Sequence, residues 1–413
     1  MNKSVKASET YDATAPPATL LPAVVGFFFS FRLIIVLLAV RMVGMDPQTG
    51  AGVGLALNFL LLGVVAFHSF GPVPMTSVSL FHLPCGFWVV LFLGFSGCSL
   101  FWSVAASLPA AVAFWCAMAA DTAMVFLLLR TGPIGEVSAA LMRGYVYAAC
   151  CIALVGWILP AESDLRLGDE NLLGPNAFGY ACAFAIFLAE YLILVRRNQD
   201  RWKFSVAFLA ITLLRSLCKT AIIAFIVGQA VLLILDKSIS RKNKMWIVLT
   251  AVLVLAATSG MIASYLNAYI DTGTQAESLT GRVGIWAYIF AEALDRPWIG
   301  HGFHSVWKVI PPFYIDQFEA RHAHNELLQQ FYTYGVVGVF MLIGLYRSFY
   351  RQVRKLPVSP LKPLLFGLFF FVLVRGLADT ETFDLSLPLW AIVMYSAVMA
   401  EKYGVTVVGG NHR

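Results

Sequence analysis

Charge is what this chain has least of. Asp, Glu, Lys and Arg together make up 13% of its 413 residues, about half of the roughly 25% usual in a soluble domain. Hydrophobic residues make up 59%, against about 45–50%, and mean hydropathy is +0.77. A soluble fold of this size cannot hide so much apolar surface, which excludes soluble enzymes, fibrous proteins and disordered chains. Cysteines in polar loops are also lacking. Cys85, Cys98, Cys116, Cys150, Cys151, Cys182 and Cys218 all lie in or at the edge of apolar runs, which argues against a disulfide framework or a CxxC metal site. No small-residue cleavage site follows a short apolar core, so the first span reads as uncleaved. Repeats of 20–50 residues and low-complexity tracts are absent too. The net charge of +6 does not point to nucleic acid; the positions of Lys and Arg relative to a membrane explain it better.

What is present is a series of apolar runs. A helix needs about 20 apolar residues to cross the bilayer, and twelve stretches qualify: 20–40, 51–69, 84–102, 106–129, 138–160, 174–195, 203–217, 219–235, 245–268, 327–348, 361–378 and 386–401. The run 203–235 is too long for one simple crossing, and polar residues interrupt it at Ser216–Lys219. Splitting it there places the basic loops 196–203, 236–244 and 347–362 on one side, the cytoplasmic side by the positive-inside rule. Acidic or mixed loops with Glu162, Asp164, Asp169 and Glu170, and with Asp379, Glu381 and Asp384, fall on the other. The expected organisation is a cytoplasmic tail 1–19, spans one to nine over 20–268, an external loop 269–326, spans ten to twelve over 327–401, and a cytoplasmic tail 402–413. Loops as long as 269–326 are usually functional. This one contains an amphipathic segment, Val283 to Leu294, followed by Pro297, Gly300 and Gly302.

A charge inside a span costs about 2.5–3.5 kcal/mol at the helix centre and marks a functional residue by default. Arg32, Arg215, Lys219 and Arg375 are such cases. For Arg32 the alternative is snorkelling or a packing ion pair; for Arg375 it is an internal pair with Asp379 or Glu381. Lys219 lies on the external side against the orientation rule, which suggests an anionic ligand. His301, His304, His322 and His324 crowd one window. Their spacing is poor for a metal site, so no metal is expected. A histidine could instead act as a general base, or simply be a hydrogen-bonded loop residue. The outer face thus gathers Lys219, Arg282 and Arg321 with histidines beside lipid. Cations there can hold diphosphate oxygens and stabilise a departing diphosphate.

Several motifs carry a family resemblance. The external segment reads LTGRVGIWAYIFAEALDRPWIGHGFHSVW from Leu279 to Trp307, followed by HAHNELLQQFYTYGVVGVF from His322 to Phe340. It holds Gly281-Arg282, Trp286, Pro297 with Gly300 and Gly302, His324-Asn325, and Gly335 with Gly338. Further pieces are FWS (Phe101 to Ser103), GPNAFGY (Gly174 to Tyr180) with Arg166 and Gly168 before it, LCKTAIIAF (Leu217 to Phe225), and VRGLADTETFD (Val374 to Asp384). In order and spacing these resemble the O-antigen ligase superfamily, which includes O-antigen ligases, Wzy-type polymerases and exopolysaccharide polymerases.

The resemblance implies an all-α integral membrane fold, GT-C-like, with about twelve transmembrane helices and a large helical periplasmic loop. It implies a bacterial inner-membrane, multi-pass, metal-independent inverting glycosyltransferase without cofactors, acting at the periplasmic face. The donor would be an undecaprenyl-diphosphate-linked glycan. The acceptor would be a second glycan in a polymerase, the favoured reading, or lipid A core in a ligase. A chain-length co-polymerase and a flippase are the protein partners it brings to mind, and nucleic acid is not a partner. His324 is the expected base, with Glu319 and Glu326 as alternatives. Arg282 and Lys219 are the expected diphosphate cations. Arg166, Asn176, Arg215, Trp286, His322, Asn325 and Arg375 are the expected substrate-binding residues. Lysine at 219, where O-antigen ligases generally place arginine, looks more like the exopolysaccharide polymerase branch. A polysaccharide transporter is the competing class, although no two matching halves with broken helices are visible.

Overall fold

The computed structural model describes residues 19–70, 79–159, 166–169, 172–195, 199–257, 259–260, 263–264, 279–306, 322–381 and 383–402. They form helices α1 (Leu20–Val43), α2 (Pro47–Ser69), α3 (Gly86–Cys98), α4 (Leu108–Leu129), α5 (Ile134–Ile158), α6 (Pro175–Val195), α7 (Asp200–Arg215), α8 (Lys219–Leu235), α9 (Arg241–Ala257), α10 (Leu279–Ala293), α11 (Glu326–Lys355), α12 (Leu361–Gly376) and α13 (Leu389–Lys402). Among the described residues the sole β feature is an isolated bridge between Asp169 and Leu173. Every expected apolar stretch holds a helix, and α10 is the expected amphipathic one. Residues 1–18 and 403–413 of the expected tails 1–19 and 402–413, Arg321, Glu319 and much of the loop 269–326 lie outside the described residues.

Among the described residues six helices, α1, α2, α4, α5, α6 and α11, are long and apolar enough to cross a membrane. The others are shorter. Helices α7 and α12 have 16 residues each, which at 1.5 Å per residue gives about 24 Å, short of a hydrocarbon core of about 30 Å. Twelve full crossings therefore remain a reading of the sequence pattern. The exterior is apolar in the manner of a lipid-facing surface: Phe67, Phe101 and Ile158 are more than four-fifths exposed.

Local chemistry sets the helix ends. Asp46 caps α2, accepting from Gln48 N and Thr49 N at 3.0 and 2.9 Å, with Pro47 in the first turn. The chain breaks between α7 and α8 at Ser216–Cys218, where Leu217 takes a φ of 53°. Small residues let helices approach closely. A Cβ on Gly228 would lie 2.7 Å from Gly367 O, and one on Gly367 would lie 2.7 Å from Gly228 O. This contact fixes α8, which begins at Lys219, against α12, which carries Arg375.

Sidedness is open to direct measurement. A cysteine at Asp295, in the segment after α10, is expected to react with an impermeant thiol reagent added outside. A cysteine at Ser238, between α8 and α9, should react only once the inner face is opened. The charge asymmetry motivates this. Labelling of both from one side would make the break at Ser216–Cys218 a feature without a change of side.

Candidate active site

Two segments far apart in sequence are joined by main-chain hydrogen bonds. Helix α11 is kinked at Gly335, which has φ 65° and ψ −158°. Across that kink His301 N donates to Tyr332 O (3.0 Å), Gly302 N to Thr333 O (2.8 Å) and Val336 N to Pro297 O (2.8 Å). The approach is so close that a Cβ on Gly300, Gly302 or Gly335 would sit within 2.5 Å of a neighbouring atom, and all three have positive φ. That explains the glycines of the P-x-x-G-x-G segment. The FWS segment holds the other side. Ser103 Oγ donates to Phe303 O (2.6 Å), Phe303 N to Ser99 Oγ (3.0 Å) and Val104 N to His301 O (3.0 Å).

On this frame the functional candidates meet around the turn 377–381. Asp379 is buried there, its side chain 1% exposed. Its Oδ1 lies 3.1 Å from His322 Nε2 and 3.3 Å from His324 Nδ1. Its Oδ2 lies 3.5 Å from Arg375, whose NH2 also contacts Glu381 Oε1 at 2.8 Å. Arg282, from α10, donates to Ala378 O. Asn325 Nδ2 donates to Leu377 O (3.0 Å), while its Oδ1 accepts from Leu328 N (3.0 Å) and so caps α11. Trp286 Nε1 donates to Ala323 O (2.9 Å), fixing the peptide between the two histidines. Tyr180 lies under Arg375, with Cζ 4.0 Å from its ring centroid.

Cys218, the residue before Lys219, links Asn176 to this group. The Cys218 thiol donates to Asn176 Oδ1 at 3.3 Å and lies within electrostatic reach of Arg375 and Asp379. Lys219, the next residue, is exposed at the start of α8. Arg215 ends α7, and Arg166 precedes the Asp169 bridge; both are half-buried. Glu326, the alternative base, is 4% exposed, and its carboxylate accepts from Tyr346 OH (2.9 Å) and Ser386 N (2.6 Å). It serves the packing of the bundle.

Burial works against the charge of Asp379, but Arg375, with His324 and His322, outweighs it and holds its carboxyl below the usual carboxylate range. Burial, then the adjacent His324, pushes His322 down to about 3, so His322 is neutral near pH 7 and donates Nε2–H to Asp379. The same carboxylate lies 3.3 Å from His324 Nδ1, a contact without hydrogen-bond alignment. His324 has a φ of 49°, a conformation that costs energy in a non-glycine residue and concentrates at functional sites. Nε and NH1 of Arg375 are buried and have no hydrogen-bond partner among the described residues. They are donors suited to an anionic oxygen.

His322, His324 and Asp379 also offer one donor atom each within 4.8 Å of one another, the compactness of a metal-ligand set. Arg375 already pairs with Asp379, and the charge of Arg282 bears on His322. A cation there would face both guanidinium groups, so proton handling suits this group better.

Sequence reasoning missed Asp379 as the hub and Tyr180 as the support of Arg375. Asp379 was visible only as an acid one helical turn beyond Arg375. A family model described as O-antigen ligase matches residues 204–343. No curated protein matches the chain. The matched segment carries Lys219, Arg282, Trp286, His322, His324 and Asn325, and over it this helical membrane protein is similar to the O-antigen ligase family.

Proposed function

We propose that the protein transfers or polymerises oligosaccharide repeat units carried on undecaprenyl diphosphate, at the periplasmic face of a bacterial inner membrane. The observation that carries this reading is the meeting of His324, Asp379, Arg282 and Arg375 on one turn. Arg282, Arg375 and Lys219 hold the diphosphate. An acceptor hydroxyl attacks the anomeric carbon, and its proton passes to His324 Nε2. The bond from that carbon to the diphosphate oxygen breaks, and undecaprenyl diphosphate leaves with the electron pair. Attack opposite the leaving group inverts the anomeric centre. Asp379 orients His324 and stabilises the imidazolium, while the arginines stabilise charge on the leaving group.

Lysine at 219 favours a polymerase, whose acceptor is another lipid-linked repeat unit; a ligase would use lipid A core. The test is deletion of the gene followed by gel analysis of polysaccharide and lipopolysaccharide. Single repeats without polymer support a polymerase, and long lipid-linked chains that never reach the core support a ligase. Uptake of lipid-linked glycan into proteoliposomes without bond formation would sink the transferase reading.

The same reading expects transfer to survive strong chelation, because guanidinium and ammonium groups supply the electrostatic stabilisation. Activity abolished by chelator and restored by a divalent ion would turn His322, His324 and Asp379 into metal ligands.

A further inference from the structure

Beyond Tyr180, beside the site, lies a concavity of about 400 Å3. Arg32 of α1, Asn58 of α2 and Asp121 of α4 line it. Arg32 pairs with Asp121 Oδ2, and Asn58 Nδ2 donates to Asp121 Oδ1 at 2.7 Å. Asn58 is 3% exposed, and its Oδ1 has no partner among the described residues. Glu381 also lines the cavity while pairing with Arg375, so one carboxylate is shared between the cavity and the turn that holds the histidines. The rest of the wall mixes aromatic rings with aliphatic residues such as Val36, Leu55 and Met118. Phe114 and Phe383 are stacked with centroids 4.0 Å apart and planes 7° from parallel.

These groups discriminate among ligands. A prenyl chain would leave Asn58 Oδ1 and the carboxylates buried against hydrocarbon. A phosphate would meet Asp121 and Glu381 with only Arg32, already paired, to offset them. A sugar offers hydroxyl donors to the amide oxygen and carboxylates, and its apolar ring face matches aromatic rings. Burial, with Asp121 nearby, pushes the Asp384 carboxyl up to about 8, so near pH 7 this further wall residue can donate to a sugar oxygen.

We propose that this cavity binds an uncharged sugar residue of the lipid-linked glycan, at a site separate from the diphosphate cations. The inference rests on the glycosyl-transfer reading for the origin of that glycan. A benzophenone amino acid in place of Leu55, which lines the cavity, can test it in full-length protein in membranes. The same substitution at Leu60, on the exposed side of α2, is the control. Two probes are used: the undecaprenyl-diphosphate-linked repeat unit extracted from producing cells, and the same oligosaccharide released from it by mild acid.

Irradiation is expected to give a glycan-bearing adduct at position 55 and little at 60. Asn58→Leu should weaken that adduct about tenfold per inserted protein, as loss of a hydrogen bond in a buried site does. An adduct with the released oligosaccharide places sugars of the acceptor in the cavity. An adduct with the lipid-linked form alone places the sugar next to the donor diphosphate there. No glycan adduct at 55, equal labelling at 60, or equal labelling by undecaprenyl phosphate without sugar would overturn the proposal, and none of these outcomes depends on the Asn58 variant. If the adduct forms but the wild-type protein transfers nothing, the transferase reading fails and the sugar site stands.

Discussion

His324→Ala is expected to lower turnover by about 10²–10⁴-fold, the usual loss on removing a general base. Binding of the lipid-linked donor should stay close to wild type, because the cations that hold the diphosphate remain. Asp379→Asn should produce a fall in turnover as well. An amide cannot stabilise an imidazolium, and it leaves Arg375 with Glu381 as its remaining carboxylate partner. The decisive measurement is donor affinity against single-turnover rate in reconstituted protein. Full turnover by His324→Ala would make the histidine a structural loop residue. A large loss of donor affinity in that variant would move His324 from the acceptor to the diphosphate.

Arg282→Ala is expected to lower kcat/KM by about 10²–10³-fold, the scale on which a single electrostatic stabiliser acts. Arg282 also donates to Ala378 O, so a loss of structure has to be distinguished from a loss of charge. The bonds between 297–302 and 332–336 do not involve Arg282 and should keep the 297–302 segment docked. Arg282→Lys keeps the charge but not the two-pronged guanidinium, and should restore part of the rate. Lys219→Ala should behave like Arg282→Ala, and Lys219→Arg should keep part of the activity. Wild-type donor affinity in Arg282→Ala would remove this residue from the diphosphate clamp.

The helices were legible because apolar runs of helical length are a local property. The break before Lys219 was legible because Ser216 and Lys219 interrupt such a run. The kink at Gly335 was not, since a glycine inside an apolar segment reads equally as a small residue for helix packing. Its positive φ goes with a backbone approach to Trp298 and Ile299 too close for a Cβ, which no local pattern encodes. The site was partly legible. Arg282, His324 and Arg375 stand out as polar residues where polarity is scarce, and the structure brings them together. Asp379 needed the fold, because the histidines it touches are more than fifty residues away. Asp121 went unremarked within its span, while Arg32 was noticed; the two form one ion pair between α1 and α4.

The position of Asp379 on the chain orders events during synthesis. His322 and His324 leave the ribosome before α11, α12 and the turn that carries their carboxylate partner. Until that turn is inserted, His322 and His324 lack the carboxylate beside them, and Arg282 lacks the carbonyl of Ala378 to which it donates. Arg375 in turn enters the membrane with Asp379 and Glu381 close behind it on the same chain, so it can be inserted as part of a neutralised group rather than as an isolated charge.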